Sequence, residues 1–291
     1  MSDDFYGSKG KSLGDILEFI KKARENPSSD GVWGFRTGFN MFDKATGGLQ
    51  PRQMFIVAGV AGIGKSLFCL ESGLNMAKQG LGGIYFSLEM SAFDQYMRLL
   101  SLMTGIPSNE ILAGNIDNEK LERIEKAAAE IESLPIEVVD DRPMPPALLQ
   151  SYIDGAKDKY NLGNLSWIVV DYLALLDERN DNEVDRVTRV AREVLATIQK
   201  NNLAGLVIHT LNKRGEYAGA VSVIYMADQA GVMEEITEDD QDEKIIRMRF
   251  TKVRYSKKHQ DVLLRMKRDS LGFDETWTGL LPGKSSRGRE W

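Results

Sequence analysis

The sequence predicts an α/β domain: a mainly parallel sheet with helices on both faces, ending in an antiparallel hairpin. Three observations carry this. Residues 59–66, Gly-Val-Ala-Gly-Ile-Gly-Lys-Ser, fit the pattern G-x-x-x-x-G-K-[ST] between an apolar run at 54–58 and a helix-compatible continuation at 67–70. Further apolar runs at 84–88, 136–139, 167–170 and 205–208 alternate with stretches of helical spacing, the order that builds a parallel sheet. Beyond Asn212 the pattern changes: Ile246, Met248 and Phe250 alternate as a strand with one wet face, and residues 262–264 begin its partner.

Composition bounds the function. With 291 residues, 42% of them apolar, the chain can bury a substantial core, and one α/β domain with an extension is the natural division. A formal net charge of −6 excludes a protein that coats nucleic acid by bulk charge, so any such contact is a local basic surface. One cysteine, Cys69, excludes an intrachain disulfide, and two histidines leave little for a zinc site. No apolar run is long enough to span a membrane, so the expectation is a soluble, cytoplasmic protein with no membrane partner.

Taken in order, residues 1–11 read as a loose terminus. Ser12-Leu-Gly-Asp15 resembles a capping box, and Leu13, Ile16, Leu17, Ile20 and Ala23 recur at helical spacing until Asn26-Pro27 stops them. This amphipathic helix stands outside the domain, either packed back on its own body or docked on a neighbouring subunit. A turn-rich lead-in at 36–51 reaches the first strand. In the phosphate loop, glycines let backbone N–H groups converge on a polyphosphate, Lys65 reaches its terminal phosphates and the Ser66 hydroxyl can ligate Mg²⁺.

Residues 80–83 read as a turn, and strand 84–88 ends at Glu89, at the carboxyl end of a strand taken to lie beside the phosphate loop. Helices follow at Phe93 to Leu100 and at Asn118–Ser133, then a strand at Ile136–Val139 and a helix at 145–160. Residues 167–170 run into Asp171, an acid-capped strand suited to holding the Mg²⁺ shell against Ser66. Helix 182–201 is strongly amphipathic, and strand 205–208 ends at His209-Thr210-Leu211-Asn212. Residues 214–221 read as a mobile loop, 234–243 carry seven acids, and 244–268 carry ten Lys/Arg against one acid, Asp261. Lys252 and Arg254 project from one face of a strand end, as a solvated basic hairpin or as a functional pair. From Pro282 onward the composition is that of a disordered segment.

On these residues, positions 12–275 resemble the RecA-like motor domain of DnaB-type replicative helicases. Thr37-Gly-Phe39 with Asp43 and Gly47-Gly-Leu-Gln-Pro51 looks like that family's entry to the phosphate loop, and Val170-Asp-Tyr-Leu173 looks like its Walker B. Phe86-Ser-Leu-Glu-Met90, with Arg98 downstream, is similar to its second-strand motif, whose glutamate activates the attacking water. Phe250-Thr-Lys-Val-Arg254 is similar to its K-x-R signature, whose arginine reaches the neighbouring subunit's γ-phosphate, and the helix from Leu13 is placed like its linker helix.

The resemblance implies a Mg²⁺-dependent ATPase working as a hexameric ring or helical assembly on single-stranded DNA, with primase or a separate replication protein as a further partner. It implies Glu89, Lys65, Arg254 and Lys252 as catalytic residues, and Ser66 and Asp171 as metal ligands. Gly59, Ala61, Gly62, Ile63, Gly64, Lys65, Ser66 and Leu67, with Arg98 and Thr210, are the expected nucleotide-binding set. Domain limits follow: 1–35 for the flexible terminus and linker helix, 36–275 for the motor, 276–291 for a disordered tail. Three departures stand out. Thr210 occupies the place of the family's sensor glutamine with His209 beside it, so that either residue, or neither, senses the γ-phosphate. The loop after Asn212 is short and lacks a basic pattern, and the family's amino-terminal helical domain is not expected from the residues ahead of the helix. A filament-forming recombinase or annealing ATPase, or a non-translocating loader, on the same fold is the other reading.

Overall fold

The computed structural model describes residues 12–25, 27–160, 165–176, 182–212, 221–236, 244–254, 261–267 and 271–274. Five strands are buried on both faces: β1 (Met54–Gly59), β2 (Gly82–Ser87), β3 (Ile136–Val139), β4 (Leu165–Asp171) and β5 (Ala204–Thr210). Strands so apolar must be covered on two sides, the situation of a parallel sheet whose crossovers are helices. Four more strands follow: β6 (Gln229–Glu235), β7 (Ile245–Lys252), β8 (Val262–Met266) and the two-residue β9 (Phe273–Asp274). Among the described residues the nine form one sheet in the order β3-β2-β4-β5-β1-β6-β7-β8-β9. Pairing is parallel through β6 and antiparallel from β7 on.

Side chains alternate between two cores. Phe55, Val57, Tyr85, Trp167 and Ile208 face one core, covered by α2 (Asn40–Thr46), α3 (Lys65–Lys78), α4 (Ala92–Thr104) and α6 (Asn118–Ser133). The short α5 (Ser108–Leu112), which had no signal in the sequence, joins α4 to α6. Met54, Ile56, Ile84, Phe86, Ile168 and Val207 face the other core, under α7 (Pro146–Tyr160), α8 (Glu183–Lys200) and α9 (Val221–Met226). The remaining helix, α1 (Leu13–Glu25), begins with the expected capping box, since Ser12 N donates to Asp15 Oδ2 at 2.7 Å and Asp15 N to Ser12 Oγ at 3.2 Å. No described helix is long and apolar enough to cross a membrane.

Three expectations are corrected. The turn at 80–83 stops short, because Gly82 and Gly83 already pair in β2. A Cβ on Gly83 would lie 2.0 Å from the Trp167 ring, so the glycine is there to admit a fully buried indole rather than to turn. The strand leading to Glu89 is not beside the phosphate-loop strand, since β4 and β5 intervene. Finally, the loop expected up to residue 221 gives way at Val221 to α9, and the acidic run expected from residue 234 begins inside β6, while the residues between had no reading. Glu234 is a strand residue bonded to Arg247 and Arg249 of β7, so part of the acidic run is the partner of the basic one. The loose terminus read at 1–11, the loop read at 214–221 except for Val221, and the tail read at 276–291 lie outside the described residues.

Candidate active site

Strand β1 lies mid-sheet and delivers the phosphate loop at its carboxyl end, where α3 begins at Lys65. Gly64 there has φ 100°, which a side chain would strain, and its Cα faces the Phe273 ring, 3.0 Å from where a Cβ would be. Lys65 is buried, and its Nζ donates to the Val60 carbonyl at 2.8 Å. Burial pulls its pKa down, while the carboxylates of Asp171 and Glu89 work the other way.

Around this loop opens a cleft of about 430 Å³, lined by Ala61, Gly62, Gly64, Lys65, Ser66, Leu67, Glu89, Met90, Arg98, Asp171, Tyr172, Ile208, Thr210, Met266 and Leu271. Of the expected binding set, Gly59 and Ile63 are not in the lining. Ile63 is instead buried and packs on Gly59, shaping the loop from behind. Thr210 lines the cleft and His209, the next residue along the strand and so on the other face, does not. Burial and the Lys65 charge hold the His209 pKa down at about 4, so it is a neutral buried side chain at neutral pH.

Asp171, at the end of β4, is 2% exposed. Its Oδ2 accepts the Tyr85 hydroxyl at 2.6 Å, whereas its Oδ1 is buried and has no hydrogen-bond partner among the described residues. Burial pushes this carboxyl's pKa up, opposed by the Tyr85 and Ser66 hydroxyls and the charges of Arg98 and Lys65. An orphaned carboxylate oxygen beside a hydroxyl is a hard, all-oxygen donor pair that suits a small divalent cation. The described residues hold no cluster of three or more His, Cys, Asp or Glu able to bind a metal alone. That fits an ion completed by phosphates and water rather than a protein cage.

Met266 and Leu271 had no signal in the sequence. They arrive because the C-terminal strands fold back over α3, where Phe273 N donates to Glu71 Oε2 at 3.0 Å across 202 positions of sequence. No local pattern reports so distant a contact.

Lys252 and Arg254 are not in the cleft. Lys252 pairs in register with Ala230 at the start of β6, and its Nζ donates to the carbonyls of Tyr225, in the last turn of α9, at 2.7 Å and of Ala227, just beyond it, at 2.5 Å. Arg254 Nη1 lies 3.1 Å from Asp228 Oδ1, and Asp228 is locked to the first residue of β1 by Met54 N to Oδ2 at 3.0 Å and its own N to Met54 O at 3.0 Å. The pair therefore marks the amino end of β1 and the cleft its carboxyl end, about 17 Å apart along the strand.

The model of the DnaB-like helicase C-terminal domain matches residues 34–220. The replicative DNA helicase DnaB of Synechocystis is 30% identical over 198 residues, 68% of this chain and 22% of that protein. That of Rickettsia typhi is 26% identical over 229 residues, 74% of this chain and 45% of that protein, so the chain spans less than half the length of these relatives. Among solved structures, one ATPase domain superposes with a TM-score of 0.83 at 19% identity, covering 91% of this chain and 99% of that one. A DnaB-like replicative helicase, in a structure describing its interactions with primase, gives 0.80 at 19% identity over 90% of this chain and 68% of that one. With the family model matched across well over half of the chain, from the entry to the phosphate loop through the acid-capped strand to the residues beyond Thr210, this chain belongs to the DnaB-like helicase C-terminal domain family.

Proposed function

We propose that the chain is the ATP-hydrolysing motor of a ring helicase, coupling hydrolysis to movement along single-stranded DNA and to duplex unwinding. The observation that carries this is the split between the two ends of β1. The cleft holds a phosphate loop, an acid for metal and an exposed carboxylate, yet the arginine suited to the γ-phosphate sits about a strand's length away and faces outward. A second copy brought against the cleft supplies that guanidinium in trans, so the motor is an assembly with shared sites.

In this reading Lys65 and the loop N–H groups grip the triphosphate at the start of α3. Ser66 and Asp171 hold Mg²⁺, which when bound neutralises phosphate charge. Glu89 takes the proton of the attacking water, Arg98 and Thr210 contact phosphate oxygens, and Lys252 and Arg254 serve the neighbour's site. Helix α1 supports assembly too. Leu13, Leu17 and Ile20 are half or more exposed, and a groove of about 520 Å³ between α4 and α6, lined by Tyr96, Leu100, Ile131, Leu134 and Ile136, offers a second copy's helix an apolar seat. A separate replication protein, primase among the candidates, is the partner expected to meet such a ring.

A forked DNA substrate tests the reading. ATP-dependent, one-directional strand displacement that stops with a non-hydrolysable analogue is expected. Filaments on single strands with no displacement would replace it with the recombinase-type alternative.

A further inference from the structure

Glu89 carries an exposed side chain on a backbone that is pinned on both sides. Leu88 N donates to the Asp171 carbonyl at 2.7 Å, Ser91 and Asp94 close a capping box at the start of α4, and Ala92 N donates to Asp140 Oδ2 at 2.6 Å. These are ladder and cap contacts of ordinary kind. One pin is different. Ser87 Oγ donates to the Met90 carbonyl at 2.8 Å and accepts from Gln95 Nε2 at 3.0 Å, and both side chains are fully buried. Gln95 Oε1 has no hydrogen-bond partner among the described residues. A buried amide with an unsatisfied oxygen destabilises a fold relative to an apolar side chain of its size, so packing alone does not account for it. Its neighbour three residues on, Arg98, lines the cleft with Glu89.

We propose that Gln95 and Ser87 are positioning residues for Glu89. The chain from amide to hydroxyl to the Met90 carbonyl fixes α4 against the end of β2, and so sets Glu89 and Arg98 at one spacing across the cleft. The proposal rests on Glu89 acting as the base.

The test is steady-state ATPase of the assembled protein together with its melting temperature. Gln95→Leu and Ser87→Ala are each expected to lower kcat by about 10- to 100-fold with KM within a few-fold, as misplacement of a catalytic group does. Ser87→Ala also strands the Gln95 amide and lowers the melting temperature. The double variant, with that amide gone, recovers most of the melting temperature while kcat stays low. Recovery of kcat along with the melting temperature in the double variant, or parent kcat in the single variants, overturns the proposal. Glu89→Gln turning over ATP at the parent rate overturns the base assignment itself, a separate failure read in its own arm.

Discussion

The two ends of strand β1 hold charge in opposite ways. At the carboxyl end Lys65 is buried, Asp171 keeps one oxygen without a partner among the described residues and Glu89 stands exposed, so the polar groups converge on space. At the amino end the cations are occupied: Lys252 on carbonyls in and just beyond the last turn of α9, Arg254 on an Asp228 whose side chain is only 7% exposed. Burying partly satisfied polar groups is unfavourable, and folds tolerate it where a ligand completes them. Satisfied groups with an exposed tip are what an interface presents. On the proposed reading one end is the receiving half of a site and the other the donating half, and within one chain they stand about 17 Å apart along β1.

The largest effect is expected from breaking the donating half. Arg254→Ala should lower turnover by about 10³–10⁵-fold with nucleotide affinity nearly unchanged, because a guanidinium on developing γ-phosphate charge does little for the ground state. Its pair with Asp228 is half exposed on the arginine side, so the loss of stability should be small and a melting curve checks it. Mixing sharpens the test. Subunits carrying Arg254→Ala and subunits carrying Glu89→Gln are each inactive alone, yet mixed assemblies contain interfaces where an intact Glu89 meets an intact Arg254. Partial recovery of ATPase, in proportion to such interfaces, is expected. Exchange of subunits without recovery, together with a linear loss when wild type is doped with the mutant, would return Arg254 to a plain ion pair on a hairpin.

The two halves were unequally legible in the sequence. Gly59 to Ser66 and the acid that ends β4 are local patterns, set by what a tight phosphate-binding turn and a buried strand end require, and both lie where spacing puts them. Likewise Ser12 and Asp15 are three residues apart and cap one helix turn. What escaped is long-range. Gly82 and Gly83 look like a turn until Trp167 is known to lie across them. Met266 and Leu271 join the cleft only because the last strands fold over α3. Lys252 and Arg254 could be placed on one strand face but not at one end of the sheet, since their partners, Ala227 and Asp228, sit in a stretch whose helix and strand had no clear periodicity. Asp94, five residues beyond Glu89, is also an acid, but its Oδ2 accepts from Ser91 N and Oγ in the cap of α4 and it is not among the cleft-lining residues, whereas Glu89 is.

A smaller effect is expected at α1, which differs from α8 in what covers it. Both are amphipathic, but Val187, Val190, Ala191, Val194 and Ile198 of α8 are buried on the sheet, while Leu17 and Ile20 of α1 remain 50% and 53% exposed. Leu17→Asp with Ile20→Asp should therefore leave the melting temperature of the domain within a few degrees and shift mass photometry toward monomers and small oligomers. ATPase should then fall at low protein concentration and return as concentration rises, because the interfaces weaken without losing a catalytic group. A large fall in melting temperature with an unchanged oligomer would assign the helix to its own domain.

The smallest effect concerns the anchor itself. Asp228→Asn keeps a carbonyl oxygen to accept Met54 N and keeps the backbone pairing, so the start of β1 should hold. It replaces the carboxylate oxygen facing Arg254 with an uncharged group, and the guanidinium loses its fixed position. An ion pair with one exposed partner contributes about 0.2–1 kcal/mol, so turnover should fall by no more than about five-fold, with KM unchanged. The sign is as informative as the size. A fall means that Asp228 holds the arginine ready for the neighbour, whereas a rise would mean that it holds the arginine back and must release it for each turnover. A loss as large as that of Arg254→Ala would show instead that the rigidity of the anchor, and not only the presence of the guanidinium, is what the neighbouring cleft requires.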